Sequence, residues 1–288
     1  MIFAMHTSLS PLRRARLSRR VRPLARVALA IAVGMLAAVR PPSTRQASPI
    51  RIAQAADGFY EVTSVLDEPD ATPGDANCVS TPSGVCTLRA AIQEANFDPQ
   101  HDWVLLPNTS DSLTYVISSS LVITTELTLR TKSGTNVGPR IIQSSGFSPG
   151  PVVEVNATGV TLQGLTIQGG AAGGLTVQPG AVVELVNSAV LSNTGTGINN
   201  RGTLAITNAT VSDNDGGGIV NNTGGTLTLD SSTITANTGS ATSSGGLTNN
   251  GLVVTVTNSI LAGNILVDPK SPDCDGTNNS GGNNLIGS

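Results

Sequence analysis

Large rings are scarce in this chain: aromatic residues fill 2% of its 288 positions, as one Trp, two Tyr and four Phe. A core without them has to be assembled from Val, Leu, Ile and Ala. Histidine is scarcer still, with His6 and His101 alone, and these form no cluster of zinc-ligand spacing with the three cysteines, Cys78, Cys86 and Cys274. After residue 140 there is no His, and Arg201 and Lys270 are the only cations. No Gly-rich phosphate loop leads from a strand into a helix. From residue 57 onward six cationic residues face nineteen acidic ones, a net of −13 that argues against nucleic acid as a partner. No cofactor is implied.

What is present falls into two unlike parts. Ten of the sixteen Lys and Arg lie between Arg13 and Arg51, and seven Arg from Arg13 to Arg26 precede the uncharged run Val27–Val39, closed by Arg40. Thirteen residues are too few for the ~18 or more that a membrane span takes, and they suit the core of a signal peptide. Residues 1–40 are therefore expected to be an export signal and 41–57 a Pro- and Ser-containing linker; an uncleaved signal anchor is the competing reading. Cleavage sites are offered after Ala38 and after Ala55 in Ala53-Gln54-Ala55. Ser18-Arg19-Arg20 is a partial twin-arginine pattern that Val21-Arg22-Pro23 does not complete. Outside the cell, Cys78 and Cys86, which enclose Thr81-Pro82-Ser83-Gly84, are candidates for a disulfide.

From Val152 onward the chain repeats. With Gly170, Asn193, Asn214, Asn237 and Asn264 as phase markers, the spacings are 23, 21, 23 and 27. Ten residues before each marker stand Val160, Val183, Leu204, Leu227 and Val254; eight before, Leu162, Leu185, Ile206, Leu229 and Val256; three before, Ile167, Val190, Val211, Ile234 and Leu261. All are aliphatic, and alternation within the first two columns marks a strand with one buried face. A period of this length with Gly- and Asn-rich punctuation predicts a solenoid, each unit one coil. Leucine-rich repeats share the period but require a regular Leu frame that is missing. The expected fold is all-β, a right-handed parallel β-helix of about seven coils. Glycines before Leu175, Ile198, Ile219 and Leu247 are expected to supply positive φ. The marker Asn residues are expected to take left-handed turn geometry and to stack as an amide ladder.

One helical pattern precedes the coils. In Cys86-Thr87-Leu88-Arg89-Ala90-Ala91-Ile92-Gln93-Glu94-Ala95-Asn96, the residues Leu88, Ala91, Ile92 and Ala95 share a face and Thr87 is the candidate N-cap. Such a helix suits the exposed end of a solenoid. The segment resembles the CSLREA motif of exported bacterial right-handed β-helix proteins, and the resemblance extends to Cys78, Leu106-Pro107, Tyr115 and Gly164-Leu165-Thr166-Ile167. It implies a cap over 58–103 and a pectate-lyase-like β-helix over 104–288. Ala90 stands where the motif has Glu, which deprives the helix start of a capping box. Gly281 to Gly287 resembles a Gly-Tyr-Asn-Leu-Ile-Gly region after which many such proteins continue to a C-terminal anchor. A truncated chain is therefore expected, with a naturally short member as the alternative.

Few residues offer chemistry. Asp213-Asn214-Asp215 is the candidate for calcium, against a solvated turn, since two acids are few for a tight site. Asp273 and Asp275 flank Cys274 on another turn. Glu184 and Asp230 share an outward face two coils apart, about 10 Å, with Ala205 between them. The expectation is a non-catalytic secreted or cell-surface module, adhesin-like, presenting Thr, Ser and Asn to extracellular glycans or surface proteins. Membrane contact is expected only through the export signal or a missing anchor. Gly217-Gly218-Ile219 and Val211-Ser212-Asp213-Asn214 partly resemble repeats of chlamydial polymorphic outer-membrane proteins. The alternative is a polysaccharide lyase or glycoside hydrolase, which needs paired carboxylates and a cation in one groove.

Overall fold

The computed structural model describes residues 58–107, 113–132, 140–144, 150–240, 243–266 and 272–287. The expected export signal and linker, 1–40 and 41–57, lie outside the described residues. Within Ala53–Ser288, short strands repeat in threes: β1 (Phe59–Glu61) and the helix α1 (Leu88–Ala95) precede a first coil made of β2 (Asp102–Leu106), β3 (Thr114–Ile117) and β4 (Leu121–Ile123). The strand β5 (Leu127–Thr131) opens the second coil and pairs in parallel with β2. Continued through seven such coils, this produces three parallel sheets, of nine, eight and seven strands, that enclose one interior. The result is a parallel β-solenoid.

In-register pairing turns the sequence columns into columns in space. Val160, Val183, Leu204, Leu227 and Val254 are Cα partners in succession, as are Leu162, Leu185, Ile206, Leu229 and Val256, and as are Ile167, Val190, Val211, Ile234 and Leu261. All fifteen are at most 1% exposed. The seven-stranded sheet adds a fourth column, Leu121, Val153, Leu175, Ile198, Ile219 and Leu247, the last four of which follow the glycines marked in the sequence. Cys274 is the next partner after Leu247, so the free thiol sits where earlier coils place an aliphatic side chain.

The amide ladder exists, with one correction to its geometry. The left-handed residue is the one before each marker, namely Gly169, Ser192, Asp213, Ala236 and Gly263, with φ between 53° and 75°. That single left-handed step turns the following Asn inward. Asn193 Nδ2 donates to Asn214 Oδ1 (2.8 Å), Asn214 to Asn237 (2.8 Å) and Asn237 to Asn264 (2.9 Å). Gly170 N–H donates to Asn193 Oδ1 at one end, and Asp273 Oδ1 accepts from Asn264 Nδ2 at the other, both at 2.8 Å. A second ladder of Asn200, Asn221 and Asn249 was not anticipated, although each lies two residues after an inward aliphatic.

The glycine expectation also changes. Gly173 and Gly217 have positive φ, but Gly174, Gly197, Gly218 and Gly246 do not. Their role is space: a Cβ on Gly218 would lie 2.7 Å from Gly246 O and 2.8 Å from Asn237 Nδ2, and the other three meet the corresponding atoms of the next coil. Asn columns and Gly columns are therefore one device. Asn214→Ala orphans buried partners in the ladder and should lower unfolding stability by about 2–3 kcal/mol, whereas half-exposed Asn222→Ala should cost less than about 1 kcal/mol. Gly218→Ala should destabilise as well. Denaturant midpoints of the three variants check the order.

Candidate ligand-binding surface

The helix α1 seals the end at which the sheets begin. Thr87 is its N-cap, accepting from Ala90 N at 3.1 Å while its own hydroxyl donates to Glu68 O. Leu88, Ala91, Ile92 and Ala95 are buried as their spacing requires, but so are Ala90 and Glu94, because the loop before the helix covers a second face. Glu94 accepts from Gly74 N and Ala76 N at 2.8 and 2.9 Å, and Gln93 Oε1 accepts from Asp70 N. Burial pushes the Glu94 carboxyl up, against those hydrogen bonds. Cys78 and Cys86 form a disulfide that closes the same loop.

The polar residues of the helix motif serve an exposed sheet edge. In the seven-stranded sheet β4 is terminal, so its outer carbonyls need donors. Arg89 Nη2 donates to Ser119 O (2.8 Å), Asn96 Nδ2 donates to Val122 O (2.8 Å), and Asn96 Oδ1 accepts from Thr124 N (2.8 Å). Arg89 is held in turn by Asp67 (2.7 Å), which also accepts from the Ser118 backbone and hydroxyl. Sequence reading missed Asp67 and Glu94, whose partners lie outside any repeat.

The calcium candidates do not come together. Asn214 is fully buried in the amide ladder and its Oδ1 accepts from Asn193, while Asp213 and Asp215 are exposed. Among the described residues, no group of three or more His, Cys, Asp or Glu is placed to hold a metal. Asp273 is buried and terminates the ladder. Burial and the neighbouring Asp275 and Asp273 push the Cys274 thiol up, against a hydrogen bond from Asn278. Glu184 and Asp230 stand on coils two apart, with Ala205 the Cα partner of Glu184.

Two surfaces stand out. The first is the regular outer face of the nine-stranded sheet, where Thr161, Glu184, Ala205, Thr228 and Thr255 form one column and Gln163, Val186, Thr207, Asp230 and Thr257 another. The second breaks that regularity. At the start of the same face, Phe59 and Trp103 are Cα partners with rings parallel to within 4° and centroids 6.1 Å apart. The Arg130 guanidinium lies 4.5 Å from the Trp103 ring centroid, and His101 meets that ring edge-on at 5.4 Å. His101 bridges Glu126 (2.9 Å) and Thr128 (3.0 Å), and Lys132 pairs with Glu61 (2.8 Å). Nearby, burial and then the charge of Asp102 hold the Tyr60 phenol protonated up to about 12.

A family described as right handed beta helix region matches residues 143–286, half of the chain. A solved structure similar to the chain is that of pectate lyase Pel9A, at 12% identity and a TM-score of 0.44, covering 72% of this chain. The chain spans 64% of that structure's length. No match was found among curated proteins.

The Arg89–Asp67 pair makes the cap sensitive to acid. Burial alone would push the Asp67 carboxyl up, but hydrogen bonds from Arg89 and Ser118 and the charge of Arg89 hold it below the usual aspartate value. A depressed folded-state value contributes stability that is complete above the unfolded value, ~3.9, and is lost as pH falls through the folded one. Asp67→Asn should therefore melt below wild type at pH 7, with the gap closing toward pH 2. Thermal melts at the two pH values test this.

Proposed function

The chain belongs to the right-handed beta helix family, and on that basis we propose that it is a non-catalytic, exported surface module of the CSLREA type, adhesin-like, that displays a repetitive polar face to glycans or surface proteins. The observation that carries this reading is the outer face of the nine-stranded sheet. In-register pairing holds Thr203, Thr207, Thr226, Thr228, Thr255 and Thr257 in fixed rows and columns, one coil about 4.8 Å from the next. Hydroxyls on a rigid lattice lose little side-chain freedom when they meet a partner, because β-branched Thr on a strand already has few rotamers. Identical rungs also engage a repetitive partner at many points at once, so that weak contacts accumulate into useful avidity.

The charges support binding over turnover. Glu184 and Asp230 are separated by a coil bearing Ala205, and Arg89, Arg130 and Lys132 are engaged with Asp67, Trp103 and Glu61 respectively. Acid-base cleavage of a polysaccharide asks for a carboxylate and a partner group held on opposite sides of one bond. The full chain, incubated with neutral and acidic polysaccharides, should yield no new reducing ends and no unsaturated products. Release of fragments from any of them would replace this reading with the lyase or hydrolase alternative.

A further inference from the structure

Resting on that reading, we infer that the aromatic cluster at the start of the nine-stranded sheet, together with the groove beside it, is a binding site for a neutral, hydroxyl-rich oligosaccharide. The cluster contains the only Trp of the chain and one of its four Phe, and both stand on the outer face of a sheet whose inner face is mainly aliphatic. Phe59 is 66% exposed. An exposed ring fixed by its neighbours offers a flat apolar platform to the C–H face of a sugar at little conformational cost.

The polar half of the site begins at Glu126. Its carboxylate is held by His101, which touches Trp103, and its side chain lies across Gly159, where a Cβ would come within 2.8 Å of it. Glu126 also lines a groove of about 490 Å³ with Thr125, Asn156, Thr158 and Pro179. Phe59, Trp103, Glu126, Thr158 and Pro179 belong to successive rungs, so platform and groove span about 19 Å at ~4.8 Å per step. That length suits a short sugar chain, with carboxylate, amide and hydroxyls placed for its OH groups.

Charge decides which sugar. Lys132 pairs with Glu61 and Arg130 faces the Trp103 ring, and neither lines the groove, whereas the half-exposed Glu126 carboxylate, one oxygen of which meets His101, does. A polyuronate would meet like charge in the groove of a domain that is already strongly acidic, so a neutral glycan is favoured.

Trp103 is the sole tryptophan and reports on its own surroundings. Titration of the full chain with neutral oligosaccharides of glucan, mannan, galactan and xylan type should give a saturable shift in its emission with at least one of them. Phe59→Ala and Glu126→Gln should each weaken that binding at least tenfold with an unchanged far-UV spectrum and melting temperature, and Thr210→Ala, at an exposed position of the eight-stranded sheet, should bind as wild type. Tighter binding of polygalacturonate than of any neutral glycan overturns the inference, as does binding that Phe59→Ala and Glu126→Gln leave intact. Binding of no glycan also overturns it, while the non-catalytic reading falls separately, on the release of fragments.

Discussion

Register between neighbouring coils is the constraint from which the other features follow. When coil after coil pairs in parallel without slippage, each inner side chain rests on its counterpart, and a residue type that suits one rung must suit the next. For aliphatic residues this yields continuous apolar columns. For asparagine it permits what a core normally forbids, because the amide of one rung donates to the carbonyl of the next and the desolvation cost is met along the whole chain of bonds. Such a chain has two ends, and each is terminated: Gly170 N–H supplies the missing donor and the Asp273 carboxylate the missing acceptor. Buried Asp273 is thereby explained by its position in the series and not by any local chemistry.

The same constraint creates the need for a cap. Stacked parallel strands leave unpaired backbone groups at the first rung of every sheet, and hydrophobic burial alone cannot satisfy them. The helix answers both needs at once. Its apolar side covers the end of the core, and Arg89 and Asn96 bond the free edge of β4 at its two ends. Asp67 ties Arg89 to the turn after β3, so the start of the eight-stranded sheet is covered by the same network. The motif spacing from Arg89 to Asn96, two helical turns, spans the three residues of β4.

What was legible in the sequence was whatever repeats. Fifteen aliphatic positions were readable because period and alternation both mark them, and the amide ladder because its members recur at coil spacing. The conformation around the ladder was not readable, since Ser192, Asp213 and Ala236 share no side-chain chemistry that would mark them as the left-handed step. The glycines were readable as necessary but not as to why, because close approach of the next coil to Gly218 depends on a partner 28 residues further along. Contacts of Glu94 with Gly74 and of Asp67 with Ser118 occur once each, between segments without periodicity, and leave no trace in a pattern of spacings.

That division between the periodic and the singular bears on where recognition can reside. A face built from identical rungs presents the same hydroxyls at every step, so a ligand sliding by one coil finds nearly the same contacts, and such a face discriminates poorly between registers. Discrimination requires a position that occurs once. In this chain the rings of Phe59 and Trp103, the His101–Glu126 pair and the groove beyond it lie where the solenoid meets its cap, a place where the repeat is interrupted without breaking the sheet. The cap thus does more than close an end: by relieving the first rungs of the need to match a predecessor, it frees their outward positions for side chains that the interior of the stack has no reason to repeat.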